Sequence, residues 1–171
     1  MADLSKYIRD VPDFPQKGII FKDITTLLKD KRAFKSAVDI FDKKYSKLGI
    51  EKVVAVESRG FILGAVIAYK LGAGFVPARK PGKLPAETLK QEYALEYGKD
   101  AVEIHKDAIK KGEKVLIIDD LLATGGTLSA TCKLVETLGG QIVAVACLIE
   151  LTFLKGIEKL KGYNFYSVIK Y

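Results

Sequence analysis

Two adjacent carboxylates, Asp119 and Asp120, stand just ahead of a run of small and hydroxyl-bearing residues, Ala123-Thr124-Gly125-Gly126-Thr127. Glycines there let the backbone approach a bound group closely. The Thr124 and Thr127 hydroxyls, with the free N–H groups of a following helix, suit a phosphate. Acids placed before such a cradle suggest a sugar phosphate, and they would either accept hydrogen bonds from ribose hydroxyls or hold a divalent cation through water. Cations gather in two other stretches: Arg59 within Glu57-Ser58-Arg59-Gly60, and Arg79, Lys80 and Lys83 within the acid-free segment from Arg79 to Ala86. Other chemistries lose their support. No Gly-Lys-Ser/Thr follows the loop, no GxGxxG or GxSxG occurs, and His105 is the only histidine and reads as structural. Cys132 and Cys147 lack CxxC spacing and read as small core residues.

The elements that must position these groups follow from periodicity. Val115-Leu116-Ile117-Ile118 is a continuous apolar run of the kind found in a parallel strand covered on both faces, and ligands of such sheets collect beyond the strands' carboxyl ends. Lys52 to Val56, Gly74 to Ala78 and Gln141 to Glu150 read as further strands. Helical stripes cover Lys29 to Leu48, closed by Gly49, then Phe61 to Leu71, with Gly64 and Ala65 allowing close packing, and Leu128 to Leu138. Alternating strands and helices predict an α/β fold with an open, largely parallel sheet flanked by helices. The loops carrying Arg59, Arg79 and Asp119 all follow strands, so they should project from one sheet edge. A phosphate at one end, hydroxyls between and a second highly charged group at the other end fit a phosphorylated ribose carrying pyrophosphate.

Two stretches are less decided. Ile20-Phe21-Lys22 reads either as a cap over a site or as an anchor for the amino-terminal arm, in which Pro12 and Pro15 exclude a regular helix. From Arg79 to Gly98 a polar excursion with a hairpin-like return reads either as a mobile flap or as a solvated loop, followed by a short strand at Glu103 to His105 and a helical turn from Asp107 to Lys111. At 171 residues the chain predicts a single domain, 1–171, with about 1–30 as an amino-terminal hood and about 79–99 as the flap. Its net charge of +7 is scattered, which argues against nucleic acid as a partner and favours steering of a small polyanion. No apolar run approaches a membrane span and no signal core opens the chain, so it reads as cytoplasmic with no membrane partner.

The segment VLIIDDLLATGGT resembles the phosphoribosyl-pyrophosphate signature of the type I phosphoribosyltransferases. DFPQKGIIFKDIT, ESRGF, ARKPGKLP and LEYGKDAVEIHKDA are similar to segments of the adenine-using branch of that family. The resemblance implies the family fold and a purine-salvage reaction: transfer of the phosphoribosyl group from 5-phospho-α-D-ribose 1-diphosphate to N9 of adenine, giving AMP and diphosphate, with hypoxanthine, guanine or xanthine as alternative acceptors. Mg2+ is implied as cofactor, held through the substrate diphosphate and water rather than by a protein ligand set. A homodimer is implied. Ala123, Thr124, Gly125, Gly126 and Thr127 would bind the 5-phosphate, and Asp119 and Asp120 the ribose hydroxyls. Ser58, Arg59 and Gly60 would form the pyrophosphate loop, with a cis peptide between Ser58 and Arg59. Ile20, Phe21 and Lys22 would form the base pocket, with Phe21 stacking on the base. Arg79, Lys80 and Lys83 would approach pyrophosphate. Glu96 and Tyr97 would close over the substrates, with Glu96 and Arg59 catalytic.

Overall fold

The computed structural model describes residues 3–94 and 98–171. Its centre is a five-stranded parallel sheet. With β1 (Arg9–Pro12) and β2 (Ile20–Asp23) forming a separate antiparallel hood, the sheet strands are β3 (Lys52–Val56), β4 (Gly74–Ala78), β7 (Lys114–Leu122), β8 (Gln141–Glu150) and β9 (Phe165–Lys170), in the order β4-β3-β7-β8-β9. From β3 the chain winds outward to β4, then returns to the other side of β3 to begin β7 and winds outward again. Loops after β3 and β7 therefore diverge from neighbouring strands and leave a crevice between them.

Helices cover both faces. On one side α1 (Thr25–Lys29), α2 (Lys31–Tyr45) and α3 (Arg59–Leu71) bury Leu27, Phe41, Tyr45, Leu63 and Ile67 against Val53, Leu116 and Leu148. On the other side α4 (Gly126–Thr137) buries Leu128, Leu134 and Val135 against Val54, Ile117 and Val145. Cys132 and Cys147 are free and buried, as their apolar settings predict. Between β4 and β7 lies a second antiparallel ribbon, β5 (Thr88–Ala94) with β6 (Lys99–His105), which packs on α4.

Three elements differ from the sequence reading. The stripe assigned from Lys29 to Leu48 is the helix α2, shorter at both ends and separate from α1, because Asp30 turns extended and its carboxylate accepts from the Arg32 and Ala33 N–H groups, both at 2.9 Å, to start α2 at Lys31. The strand expected at Glu103 to His105 begins at Lys99, since its whole length pairs with β5. No helix forms at Asp107 to Lys111; a turn closes there, followed by Gly112 at φ 85°. Ala65 is exposed and takes no part in packing α3 on the sheet.

Candidate functional site

Both acids lie on β7 itself, which runs through them to Leu122 before the loop begins. The Asp120 N–H donates to Asp119 Oδ1 at 2.8 Å, and Asp120 is 5% exposed. Arg59, the first residue of α3, brings its Nε to 2.8 Å from Asp120 Oδ2, an ion-pair distance but off the hydrogen-bonding direction, so that oxygen makes no hydrogen bond. Burial pushes the Asp119 carboxyl well above the usual carboxylate range, and the charge of Asp120 adds to it. Burial also raises Asp120, against the pull of the Arg59 guanidinium. Two crowded carboxyls, one with an oxygen that lacks a hydrogen bond among the described residues, are poised to accept hydroxyl donors. Gly60 is the residue this crowding demands, because a Cβ there would lie 2.7 Å from Asp119 Oδ1.

Beyond β7, Ala123 to Thr127 and Asp119 line one recess. Gly125 turns the chain into α4 at φ 76° and ψ 0°, which leaves the first-turn N–H groups and the positive end of a 12-residue helix directed into the loop. The 3-10 turn Gly156–Leu160 braces the loop from behind. There the two backbones touch so closely that a Cβ on Gly125 would stand 2.4 Å from the Gly156 carbonyl oxygen.

The loop after β3 carries a residue the sequence reading did not single out. Glu57 accepts from Arg79 Nε at 2.5 Å and from Lys83 Nζ at 3.0 Å, and so draws two of the three predicted cations to the Ser58 loop. Burial acts to raise the Glu57 carboxyl, but the Lys83 and Arg79 hydrogen bonds outweigh it and hold the group below the ordinary value. The third cation, Lys80, turns to the ribbon and pairs with Asp100 and the Tyr93 hydroxyl. The cis peptide lies one bond earlier than the resemblance implies, between Glu57 and Ser58. Ser58 already has helical angles, φ −107° and ψ −30°, and leads directly into α3.

Across the crevice, Phe21 sits with Val11, Phe14, Asp23, Thr25 and Arg59 around an open, mostly apolar pocket. The Phe14 ring meets Phe21 edge-on at 5.1 Å, and the Arg59 guanidinium lies 4.7 Å over the Phe21 ring centre. Strand alternation sends Ile20 and Lys22 the other way. Ile20 is 57% exposed, and Lys22 pairs with Asp10 at 2.7 Å and lies 3.7 Å over the Tyr171 ring. Only Phe21 of the three offers its side chain to the pocket. Asp23 fastens this hood: it accepts from Arg9 Nε at 3.0 Å, Thr25 N at 2.8 Å and Thr25 Oγ1 at 2.9 Å. The Thr25 backbone and Arg9 bonds pull its carboxyl down to about 2.

His105 accepts weakly from the Ala86 N–H, at 3.4 Å, and stays out of the crevice chemistry. Glu96 and Tyr97 lie outside the described residues. The structure thus brings Ser58, Arg59, Gly60, Asp119, Asp120 and Ala123 to Thr127 around one crevice, with Phe21 facing Arg59 and with Arg79 and Lys83 tied in by Glu57.

Residues 23–169 match the family model of the phosphoribosyl transferase domain. The chain is 60% identical over 169 residues to the adenine phosphoribosyltransferase of Alkaliphilus metalliredigens, covering 99% of each. It superposes on the crystal structure of the adenine phosphoribosyltransferase from Thermoanaerobacter pseudethanolicus with a TM-score of 0.96 and 55% identity, covering 99% of this chain and 98% of that one. The Saccharomyces cerevisiae enzyme, solved with adenine and an imino-altritol bisphosphate, matches with a TM-score of 0.92 and 39% identity over 97% and 96% of the two chains.

Proposed function

Since this chain belongs to the phosphoribosyltransferase family, we propose that it serves purine salvage by transferring the phosphoribosyl group of 5-phospho-α-D-ribose 1-diphosphate to N9 of adenine, releasing diphosphate and AMP. The observation that carries this reading is Arg59, which reaches Asp120 at 2.8 Å and the Phe21 ring at 4.7 Å and so joins a sugar-binding acid pair to a stacking pocket.

The roles follow from position. The recess from Ala123 to Thr127 takes the 5-phosphate on the N-terminus of α4. Asp119 and Asp120 accept the ribose 2- and 3-hydroxyls, which supply the donors these carboxyls lack. Phe21 stacks on adenine, displacing the guanidinium from its ring face, while β2 backbone groups read the base edge. As the C1–O bond breaks, positive charge grows on the ribose and negative charge on the departing diphosphate. Arg59, Ser58 and Gly60, with Arg79 and Lys83 gathered beside them by Glu57, take up the negative charge, while Lys80 stays on the ribbon with Asp100 and Tyr93. Glu96, near the purine imidazole ring, is the base that helps N9 lose its proton as the N9–C1 bond forms.

Among the described residues no group of three or more acidic, histidine or cysteine side chains could cage a metal ion. The under-bonded Asp120 oxygen and its neighbour Asp119 nevertheless suit a Mg2+ ion held mainly by substrate oxygens and water, and such an ion would neutralise diphosphate charge. Ile62 and Tyr69 of α3 and Phe75 of β4 leave apolar surface exposed, which supports a homodimer. No helix among the described residues is long and apolar enough to cross a membrane, and we place the enzyme in the cytoplasm.

Incubation with 5-phospho-α-D-ribose 1-diphosphate, Mg2+ and each purine in turn tests the reading. AMP forms from adenine, with hypoxanthine, guanine and xanthine poor acceptors. Absence of AMP would overturn it. Glu96→Gln lowers kcat at saturating substrates; full turnover would remove Glu96 from the proton transfer.

A further inference from the structure

Tyr93 of the β5–β6 ribbon reaches the 5-phosphate loop. Tyr93 lays its ring against Gly126 so closely that a Cβ on that glycine would stand 2.8 Å from Tyr93 Cδ2. Its hydroxyl accepts from Thr127 Oγ1 at 3.0 Å and from Lys80 Nζ at 3.2 Å, and donates to Asp100 Oδ2 at 3.1 Å. Asp100 is itself fixed by the Lys80 ammonium and by the Ala101 N–H at 2.8 Å. The Lys80 and Tyr93 hydrogen bonds outweigh the effect of burial and hold the Asp100 carboxyl below its ordinary value, so Asp100 is ionised at neutral pH and is a strong acceptor.

We propose that Tyr93 is a positioning residue for the 5-phosphate of the donor, acting through the hydroxyl of Thr127, with Asp100 and Lys80 holding Tyr93 in place. This rests on the reading above that Ala123 to Thr127 bind the phosphate. A threonine side chain on a helix divides between two rotamers about its Cα–Cβ bond, and its hydroxyl turns about the C–O bond. The Tyr93 oxygen, anchored by Lys80 and Asp100, selects one rotamer and leaves Thr127 beside the recess before ligand arrives. Pre-organisation of this kind removes ordering cost from binding. When phosphate enters, the Tyr93 O–H turns from Asp100 to Thr127 Oγ1, and the Thr127 proton is free to donate to the phosphate. Asp100 gives up the Tyr93 donor but keeps the Lys80 ammonium and the Ala101 N–H.

The test uses Tyr93→Phe, which keeps the ring on Gly126 and deletes only the oxygen. Calorimetric titration with ribose 5-phosphate, and with adenine as the control, is run on the wild type, Tyr93→Phe, Thr127→Ala and the double variant, alongside KM for the donor and melting temperature. Loss of one hydrogen bond predicts ribose 5-phosphate binding weakened about five-fold, and a rise in donor KM that exceeds any fall in kcat. Adenine affinity stays put. In the Thr127→Ala background the Tyr93→Phe change adds nothing, a non-additivity that a general loosening of the ribbon would not produce. Unchanged ribose 5-phosphate affinity in Tyr93→Phe would overturn the inference, as would an undiminished effect in the Thr127→Ala background. Failure of the wild type to bind ribose 5-phosphate would instead overturn the reading on which the inference rests.

Discussion

Gly156→Ala isolates the contact between the Ala123 to Thr127 loop, proposed above to bind the 5-phosphate, and the turn behind it. The added Cβ would stand 2.1 Å from the Ala123 carbonyl oxygen and 3.0 Å from the Gly125 nitrogen. An unstrained carbon–oxygen approach is about 3.3 Å, so one backbone must retreat by roughly 1 Å. Neither neighbour is the end of a flexible side chain, and the loop is held between β7 and α4. Overpacking of this kind costs on the order of 2 kcal/mol, a fall in Tm of roughly 4–8 °C for a chain this size. The functional effect is larger, because a shift of about 1 Å in groups that position a reactant costs up to about 100-fold in rate. Donor kcat/KM should therefore fall by roughly 10- to 100-fold, with adenine binding little changed. Gly72→Ala is the control. It sits at φ 64° with nothing within 4 Å of an added Cβ, so it bears only backbone strain, roughly 1–2 kcal/mol, far from the crevice. Its Tm falls while its donor KM does not. If Gly156→Ala kept the wild-type donor KM while losing comparable stability, the brace would be no part of phosphate binding.

Other perturbations bear on the charged groups. Asp119→Asn should melt higher than wild type at neutral pH while binding donor more weakly. A carboxyl raised in the folded state stabilises only below its unfolded value, and that stability drains away as pH rises through the folded one. The melting gap between the two proteins should accordingly widen as pH rises above the ordinary carboxylate range, and a gap that narrowed would contradict the placement of this pair. Asp23 has the opposite sign: its carboxyl is lowered to about 2, so its contribution is present above about pH 4 and is lost between there and about pH 2. Acid titration of Asp23→Asn should show a flatter loss of stability than wild type over that window, together with a raised adenine KM. Phe21→Ala should raise the adenine KM at least ten-fold with little effect on the donor KM, and equal effects on both would remove Phe21 from the base pocket.

The parallel sheet was legible because β3, β7 and β8 are buried on both faces and their sequences carry almost no polar interruption before the site. The recess after β7 was legible for a related reason: glycine, threonine and paired acids at the end of such a strand have few structural uses. Boundaries set by side-chain capping were hidden. Asp30 reads as one more polar position in a helical stripe until its carboxylate is seen accepting two N–H groups. Contacts between residues distant in sequence were hidden more deeply. Glu57 lies beside the segment that gave Arg59, yet its significance comes from Arg79 and Lys83, 22 and 26 residues onward. Tyr93 meets Thr127 across 34 residues, and Gly156 meets Ala123 from a turn whose sequence, Gly-Ile-Glu-Lys-Leu, carries no sign of a site. Alternation in β2 could be applied only once β2 was known to be a strand, and it then removed the Ile20 and Lys22 side chains from the pocket.

The hood shares no ladder with the central sheet. β1 and β2 pair only with each other, and polar side chains, Arg9 with Asp23 and Lys22 with Asp10, tie their ends. Two-stranded ribbons are marginal by themselves, whereas strands such as β3 and β7 open only with the whole domain. Amide hydrogens of the hood should exchange with solvent well before those of the sheet, giving the molecule two separate clocks. Such a separation would let the hood open and close without disturbing the sheet that carries the paired acids.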